Sequence, residues 1–181
     1  MSEARIPLLE RDQVPPDLAA IYDALLAQRG VVPNMFKAVA HVPALASAFA
    51  GLLKALLNDG ALPGWYKELI ATRMSVLCDS QYAVRAHAIS AKQKGASDEQ
   101  IEATKTDPEK GPFTPAGKLG FRCAARIHAS GHDLDDELYA KLKALYTDAQ
   151  IVELVAAASI FEFFPRFVDG LRIPITPPPK I

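Results

Sequence analysis

Glu-Leu-Ile-Ala-Thr-Arg-Met-Ser-Val-Leu-Cys-Asp-Ser-Gln-Tyr-Ala-Val-Arg-Ala-His, from Glu68 to His87, is the stretch on which the reading of this chain turns. Its first half is apolar at helical spacing and follows Pro63, a residue suited to the first turn of a helix, so it predicts a helix over about 63–77. Its second half predicts another over about 80–94, stopped by Gly95. The Cys78-Asp79-Ser80 junction is a break or a bend, since Asp and Ser both favour N-caps. On the second helix Ser80, Ala83 and His87 fall at i, i+3 and i+7 and share one face. Glu68 must reach that face from the preceding helix. A buried carboxylate beside an imidazole orients one ring nitrogen and makes the other more basic, which is how a neutral-pH general base is built. The structural alternative for such a Glu and His is a plain ion pair or two solvated side chains.

Working outward, Ala and Leu dominate, Gly and Pro cluster between apolar-periodic segments, and no stretch alternates as a strand does. The expectation is an all-α protein. An extended arm over about 1–16 carries Pro7, Pro15 and Pro16. A helix opens near Asp17 with the stripe Leu18, Ile21, Tyr22, Leu25, Leu26 and ends at Gly30. Short segments follow at about 34–40 and 43–58. Ser97-Asp98-Glu99-Gln100 and Thr147-Asp148-Ala149-Gln150 are capping boxes, each opening a helix. Their similar contexts hint at an internal repeat, although capping chemistry alone accounts for both. Between them, the polar run 105–112 is a linker, Thr114-Pro115 starts a helix to about Ser130, and Asp135 starts one to Leu145. The last, apolar helix holds Phe161, Phe163 and Phe164 and meets Pro165, where a kink is expected. A proline-rich tail over about 174–181 is expected to be extended.

With 181 residues the chain is large enough for one domain with a full hydrophobic core. Half of it is apolar, and the net charge of -1 and pI near 6.4 give no footing for a polyanion, so nucleic acid is not expected as a partner. The N-terminus lacks the layout of a signal peptide and no apolar run is long enough to span a bilayer, which predicts a cytoplasmic protein without membrane attachment. Cys78 and Cys123 are too few for a disulfide framework and read as two small buried hydrophobes.

The motif resembles the carboxymuconolactone decarboxylase and alkylhydroperoxidase D superfamily. Peroxidase members carry a glutamate, a C-x-x-C pair twelve and fifteen residues later, and a histidine at nineteen. Glu68 and His87 match those positions, while Ser80 and Ala83 stand where the cysteines would be. The likeness extends to Val32-Pro33-Asn34-Met35-Phe36, Ala40-His41-Val42-Pro43, Gly60-Ala61-Leu62-Pro63 and Phe163-Phe164-Pro165-Arg166-Phe167. Cysteine-less relatives often read Leu-Cys-Gly-Ser-x-Tyr-Glu-Trp, of which this chain keeps Leu77, Cys78, Ser80 and Tyr82. Ala83 and Val84 depart from that pattern, so the acidic residue of those relatives is missing too.

The resemblance implies an alkylhydroperoxidase D-like helical bundle spanning 1–181, a homo-oligomer of trimer or hexamer type, and a cofactor-free enzyme acting on a small carboxylated or lactone-type metabolite. In that reading His87 is the acid/base, Glu68 orients it, Tyr82 offers a hydroxyl, and Arg73 and Ser80 bind substrate. Arg73 reads equally as half of an ion pair between the two helices. Two other readings stay open: a hydroperoxide reductase using Cys78, and a non-catalytic helical binding or assembly module. Cys78 lies two residues before the first cysteine position, about 200° around a continuous helix, and so should face away from the site. His128 and His132 form an i, i+4 pair, but Gly131 ends their helix and no third ligand is evident, so no metal is expected. A dithiol mechanism needs one thiolate to attack and another thiol to resolve. The protein should therefore show little dithiol-dependent peroxidase turnover, whereas Ser80→Cys together with Ala83→Cys should yield an oxidisable pair. Thiol titration before and after peroxide checks both, and rapid hydroperoxide reduction by the native chain would contradict the first.

Overall fold

The computed structural model describes residues 4–130 and 134–177. Among them are nine α-helices and no strand, which confirms the all-α expectation. They are α1 Pro16–Arg29, α2 Asn34–Val39, α3 Pro43–Leu57, α4 Gly64–Leu77, α5 Gln81–Gln93, α6 Asp98–Lys105, α7 Pro115–Ala129, α8 Asp136–Leu145 and α9 Asp148–Gly170, with short 3-10 turns at Arg11–Gln13 and Pro108–Lys110. The chain divides into two compact units. One comprises residues 1–55 and 167–181, the other residues 56–166.

In the first unit two extended segments are stitched to helix ends. The Arg5 N–H and guanidinium donate to the carbonyls of Leu171 and Gly170, and the Leu9 N–H donates to the Lys37 carbonyl at 3.1 Å. At the start of α2, Asn34 donates its amide to the Pro174 carbonyl and its backbone N–H to the Thr176 hydroxyl, both at 3.0 Å. Gly30 ends α1 in the left-handed conformation, φ 70°, as its sequence position foretells. The α1 stripe is shorter than expected. Leu18, Ala19 and Tyr22 are buried, but Leu26, on the same side of the helix as Ala19 and two turns on, is half exposed, so burial fades towards the C-terminal end of α1.

The second unit is organised around α4, which packs against α5, α6 and α7. None of its residues is exposed, and it has no polar face to offer water. Its interior polar groups must then be satisfied inside the protein. Lys67, fully buried, pairs with Glu153 of α9 at 2.8 Å, and Glu153 also accepts from the backbone N–H groups of Ala61 and Leu62. Thr72 and Ser75 donate to the carbonyls four residues back.

Between α4 and α5 the chain breaks rather than bends. Asp79 takes a left-handed φ of 55°, a conformation Asp tolerates better than most residues, and Ser80 becomes the N-cap of α5. Both capping boxes form, Ser97 with Gln100 and Thr147 with Gln150. α9 continues through Pro165 to Gly170, and its Val152 and Phe163 are exposed. No helix among the described residues is long and apolar enough to cross a membrane.

α7 approaches α4 closely at Gly120. The Tyr66 hydroxyl donates to the Gly117 carbonyl at 2.7 Å and lies 3.3 Å from that of Tyr146, which donates to the Ala116 carbonyl. A methyl at Gly120 would land on the Tyr66 hydroxyl and touch Tyr146 at 3.0 Å. Helix propensity favours Gly120→Ala by about 1 kcal/mol, but overpacking of this kind costs about 1–3 kcal/mol. We expect Gly120→Ala to destabilise the protein by up to about 2 kcal/mol in urea unfolding, and the loss to shrink in a Tyr66→Phe background, where the hydroxyl is gone.

Candidate active site

Glu68 lies on the second turn of α4 with no exposed surface, and every one of its carboxylate contacts comes from α5 or the residue that ends it. The His87 Nδ1–H donates to Oε2 at 2.8 Å. Ser90 Oγ donates to Oε1 at 2.6 Å and Lys94 Nζ to the same oxygen at 2.7 Å. Lys94 is fixed in turn by the Leu57 carbonyl at 2.6 Å. The carboxylate is thus held by one hydroxyl, one ammonium and one imidazole, which is the degree of pairing a fully buried charge needs. Burial pushes the Glu68 carboxyl up, but the hydrogen bond from His87 and the charges of His87 and Lys94 outweigh it and lower it from the ordinary 4.5 to about 2.

The side-chain exposures, none for Glu68 and 14% for His87, describe a hidden orienting group and a ring that reaches outward. With Nδ1 committed to Glu68, Nε2 is left without a hydrogen-bond partner among the described residues. The ring of Phe161, from α9, meets the imidazole edge to face with centroids 4.4 Å apart and fixes its plane.

The other residues singled out from the sequence lie apart from this network or inside the protein. Arg73 does not pair with Glu68; its guanidinium points to the carbonyls of Thr104 and Thr106 at 3.5 and 3.4 Å, at the C-terminal end of α6. Tyr82 is buried in the first turn of α5. Ser80 is completely buried, makes no side-chain cap, and its Oγ has no hydrogen-bond partner among the described residues. Ala83 is buried as well. Cys78, the C-cap of α4, has its Sγ 4.0 Å from His128 Nδ1 and 3.9 Å from the Phe161 carbonyl. The 200° estimate of its direction presumes a continuous helix, whereas the left-handed Asp79 sets its orientation here. Cys123 is fully buried, and burial pushes its thiol up to about 11. His132 lies outside the described residues.

Sequence reasoning missed Ser90 and Lys94. The signal was present, since Ser80, Ala83, His87, Ser90 and Lys94 recur at alternating steps of three and four, so all five lie along one side of α5. A Lys just before a stop Gly reads as a solvated helix end, which is why it drew no attention.

The model of the carboxymuconolactone decarboxylase family matches residues 43–109, the segment holding α3 to α6 and all four members of the Glu68 network. That segment, a little over a third of the chain, is similar to the carboxymuconolactone decarboxylase family. Similar solved structures include an uncharacterised peroxidase-related protein with an alkylhydroperoxidase AhpD core from Ralstonia eutropha, at TM-score 0.89 and 21% identity over 97% of this chain and 94% of that one. A peroxidase-related protein from a Silicibacter species gives 0.88 and 17% over 97% and 93%. A debrominase in complex with 2,3,4-tribromopyrrole gives 0.82 and 22% over 99% and 95%. At these identities the structures attest the shared fold. Sequence comparison with curated proteins finds no significant match.

Because the folded Glu68 carboxyl lies below its unfolded value, its contribution is fully present above about pH 4.5 and is lost as pH falls towards 2. The shift corresponds to about 3 kcal/mol. Glu68→Gln should therefore lower stability at neutral pH by about that amount and flatten the fall in stability between pH 5 and about 2. Chemical denaturation at a series of pH values measures both.

Proposed function

We propose that the protein is a carboxymuconolactone decarboxylase-like enzyme that performs acid–base chemistry on a small carboxylated or lactone-type metabolite, with His87 as the proton carrier and Glu68 as its orienting group. The observation that carries this reading is the buried Glu68 carboxylate bound to His87 Nδ1 at 2.8 Å while Ser90 and Lys94 occupy its other oxygen. That division of labour leaves Oε2 to the imidazole and directs the exchangeable proton to Nε2.

In a decarboxylation the bond to the carboxylate carbon breaks, carbon dioxide departs, and the electron pair stays on the substrate as an enolate or dienolate. A proton must then arrive at that carbon. Protonated His87 can deliver it from Nε2, and Glu68, anionic at any physiological pH, stabilises the imidazolium that precedes the transfer. In the reverse sense neutral His87 can remove a proton next to a lactone carbonyl. Tyr82, Arg73 and Ser80 are the further groups proposed to polarise or bind substrate. Of these, Ser80 and Tyr82 are buried.

The alternative, hydroperoxide reduction through Cys78, draws on the peroxidase-related structures of the same fold. It requires a thiolate to attack the peroxide, release of the alcohol, and a second thiol to resolve the sulfenic acid. Ser80 and Ala83 offer none, and Cys123 is sealed in the core. The proposal also includes homo-oligomerisation, for which the exposed Val152 and Phe163 of α9 supply apolar surface.

A panel of carboxylated γ-lactones and β,γ-unsaturated acids, assayed for carbon dioxide release in deuterated water, tests the reading. We expect turnover with deuterium at the carbon that loses carbon dioxide, and a loss of roughly 10²–10⁴ in kcat for His87→Asn. Native rates in that variant, or hydroperoxide reduction abolished by Cys78→Ser with no decarboxylation of any panel member, would overturn it.

A further inference from the structure

A second group of reactive side chains sits in the same unit, and the chemistry assigned to His87 does not use it. Cys78 at the C-terminus of α4, His128 in the last turn of α7 and Glu162 on α9 bring one sulfur, one ring nitrogen and one carboxylate oxygen within 4.8 Å of one another. Sγ and His128 Nδ1 are 4.0 Å apart, and His128 Nδ1 and Glu162 Oε1 are 2.5 Å apart. All three are partly shielded, with side-chain exposures of 31% for His128 and 17% for Glu162. His128 and Glu162 border a cavity of about 320 Å³, which Ile127, Ser159 and Arg166 also line.

We propose that Cys78, His128 and Glu162 form a binding site for a single divalent metal ion of the zinc class, with a fourth position facing that cavity. The argument is one of donor type and spacing. A thiolate, an imidazole and a carboxylate are the ligands a borderline-soft ion such as Zn²⁺ takes, at about 2.3, 2.0 and 2.0–2.2 Å. In a tetrahedral arrangement such bond lengths put neighbouring donor atoms about 3.3–3.6 Å apart. The sulfur and nitrogen need to close by less than 1 Å, and the nitrogen and oxygen to open by about as much.

The convergence on one atom also argues against a relay. In a nucleophile-His-carboxylate triad the acid and the nucleophile take opposite ring nitrogens, yet here the carboxylate and the sulfur both approach Nδ1. A sulfur, a ring nitrogen and a carboxylate oxygen gathered within 4.8 Å of one another suit ligation of one ion better than a relay. Arg166 opposes it in part, because its guanidinium pairs with Glu162 Oε2 and leaves Oε1 as the available oxygen. From the sequence alone no third ligand is evident beside His128 and His132 and no metal is expected; the proposed site instead joins His128 to Cys78 at the end of α4 and Glu162 of α9.

Co²⁺ titration of the chelator-treated full chain tests the site, because a thiolate bound to Co²⁺ gives an intense near-ultraviolet charge-transfer band and a tetrahedral site gives strong visible bands. We expect saturation at one equivalent, displacement by Zn²⁺, loss of the charge-transfer band in Cys78→Ser, at least tenfold weaker binding in His128→Asn and Glu162→Gln, and tighter binding in Arg166→Gln. Absence of the band in the native protein overturns the proposal without recourse to any variant. So does a band that persists unchanged in Cys78→Ser, which would assign the thiolate to Cys123. None of these readouts depends on the decarboxylation assay, so the two proposals stand or fall separately.

Discussion

A negative charge with no exposed surface is the constraint on which the site-bearing unit depends. Glu68 cannot be buried in α4 without counter-groups, and the groups that satisfy it all come from one side of α5 and its last residue. The electrostatic requirement thus fixes the rotation of α5 about its axis and its register along α4. Lys67, the preceding residue, imposes the same requirement with opposite sign on the other flank, where Glu153 of α9 answers it. Two adjacent buried charges on one helix therefore define where two neighbouring helices must lie, and apolar packing fills the space that remains.

That arrangement also explains how much could be read without coordinates. Caps and stops are local chemistry, so the bounds of α6, α8 and α9 follow closely from Ser97, Asp135 and Thr147 and their partners three residues on. The Glu68–His87 pairing was legible because its spacing resembles that of a known family. The rest of the network was harder to see. Ser90 and Lys94 gain their roles only when a carboxylate is delivered from another helix, and nothing within α5 announces it.

Longer-range arrangements escaped more completely. Leu26 satisfies the helical period and shares its side of α1 with the buried Ala19, yet it is half exposed, because how far along α1 the covering surface extends is set by other segments. The Cys78-Asp79-Ser80 junction offered two N-cap residues. The backbone instead uses Asp79 for a left-handed turn and leaves the Ser80 hydroxyl uncapping and buried. Glu162 looked like an ordinary charge on a helix whose aromatic residues drew the eye, and only the fold sets it against His128.

Phe161 touches both centres with different parts of itself. Its ring lies against His87, its carbonyl lies 3.9 Å from the Cys78 sulfur, and the next residue is Glu162. One residue of α9 is thus a shared boundary condition for two sets of reactive groups. Substitutions made at one set are then expected to be epistatic with substitutions at the other, and a variant selected for one property will carry a correlated change in the second even where the two never share a ligand.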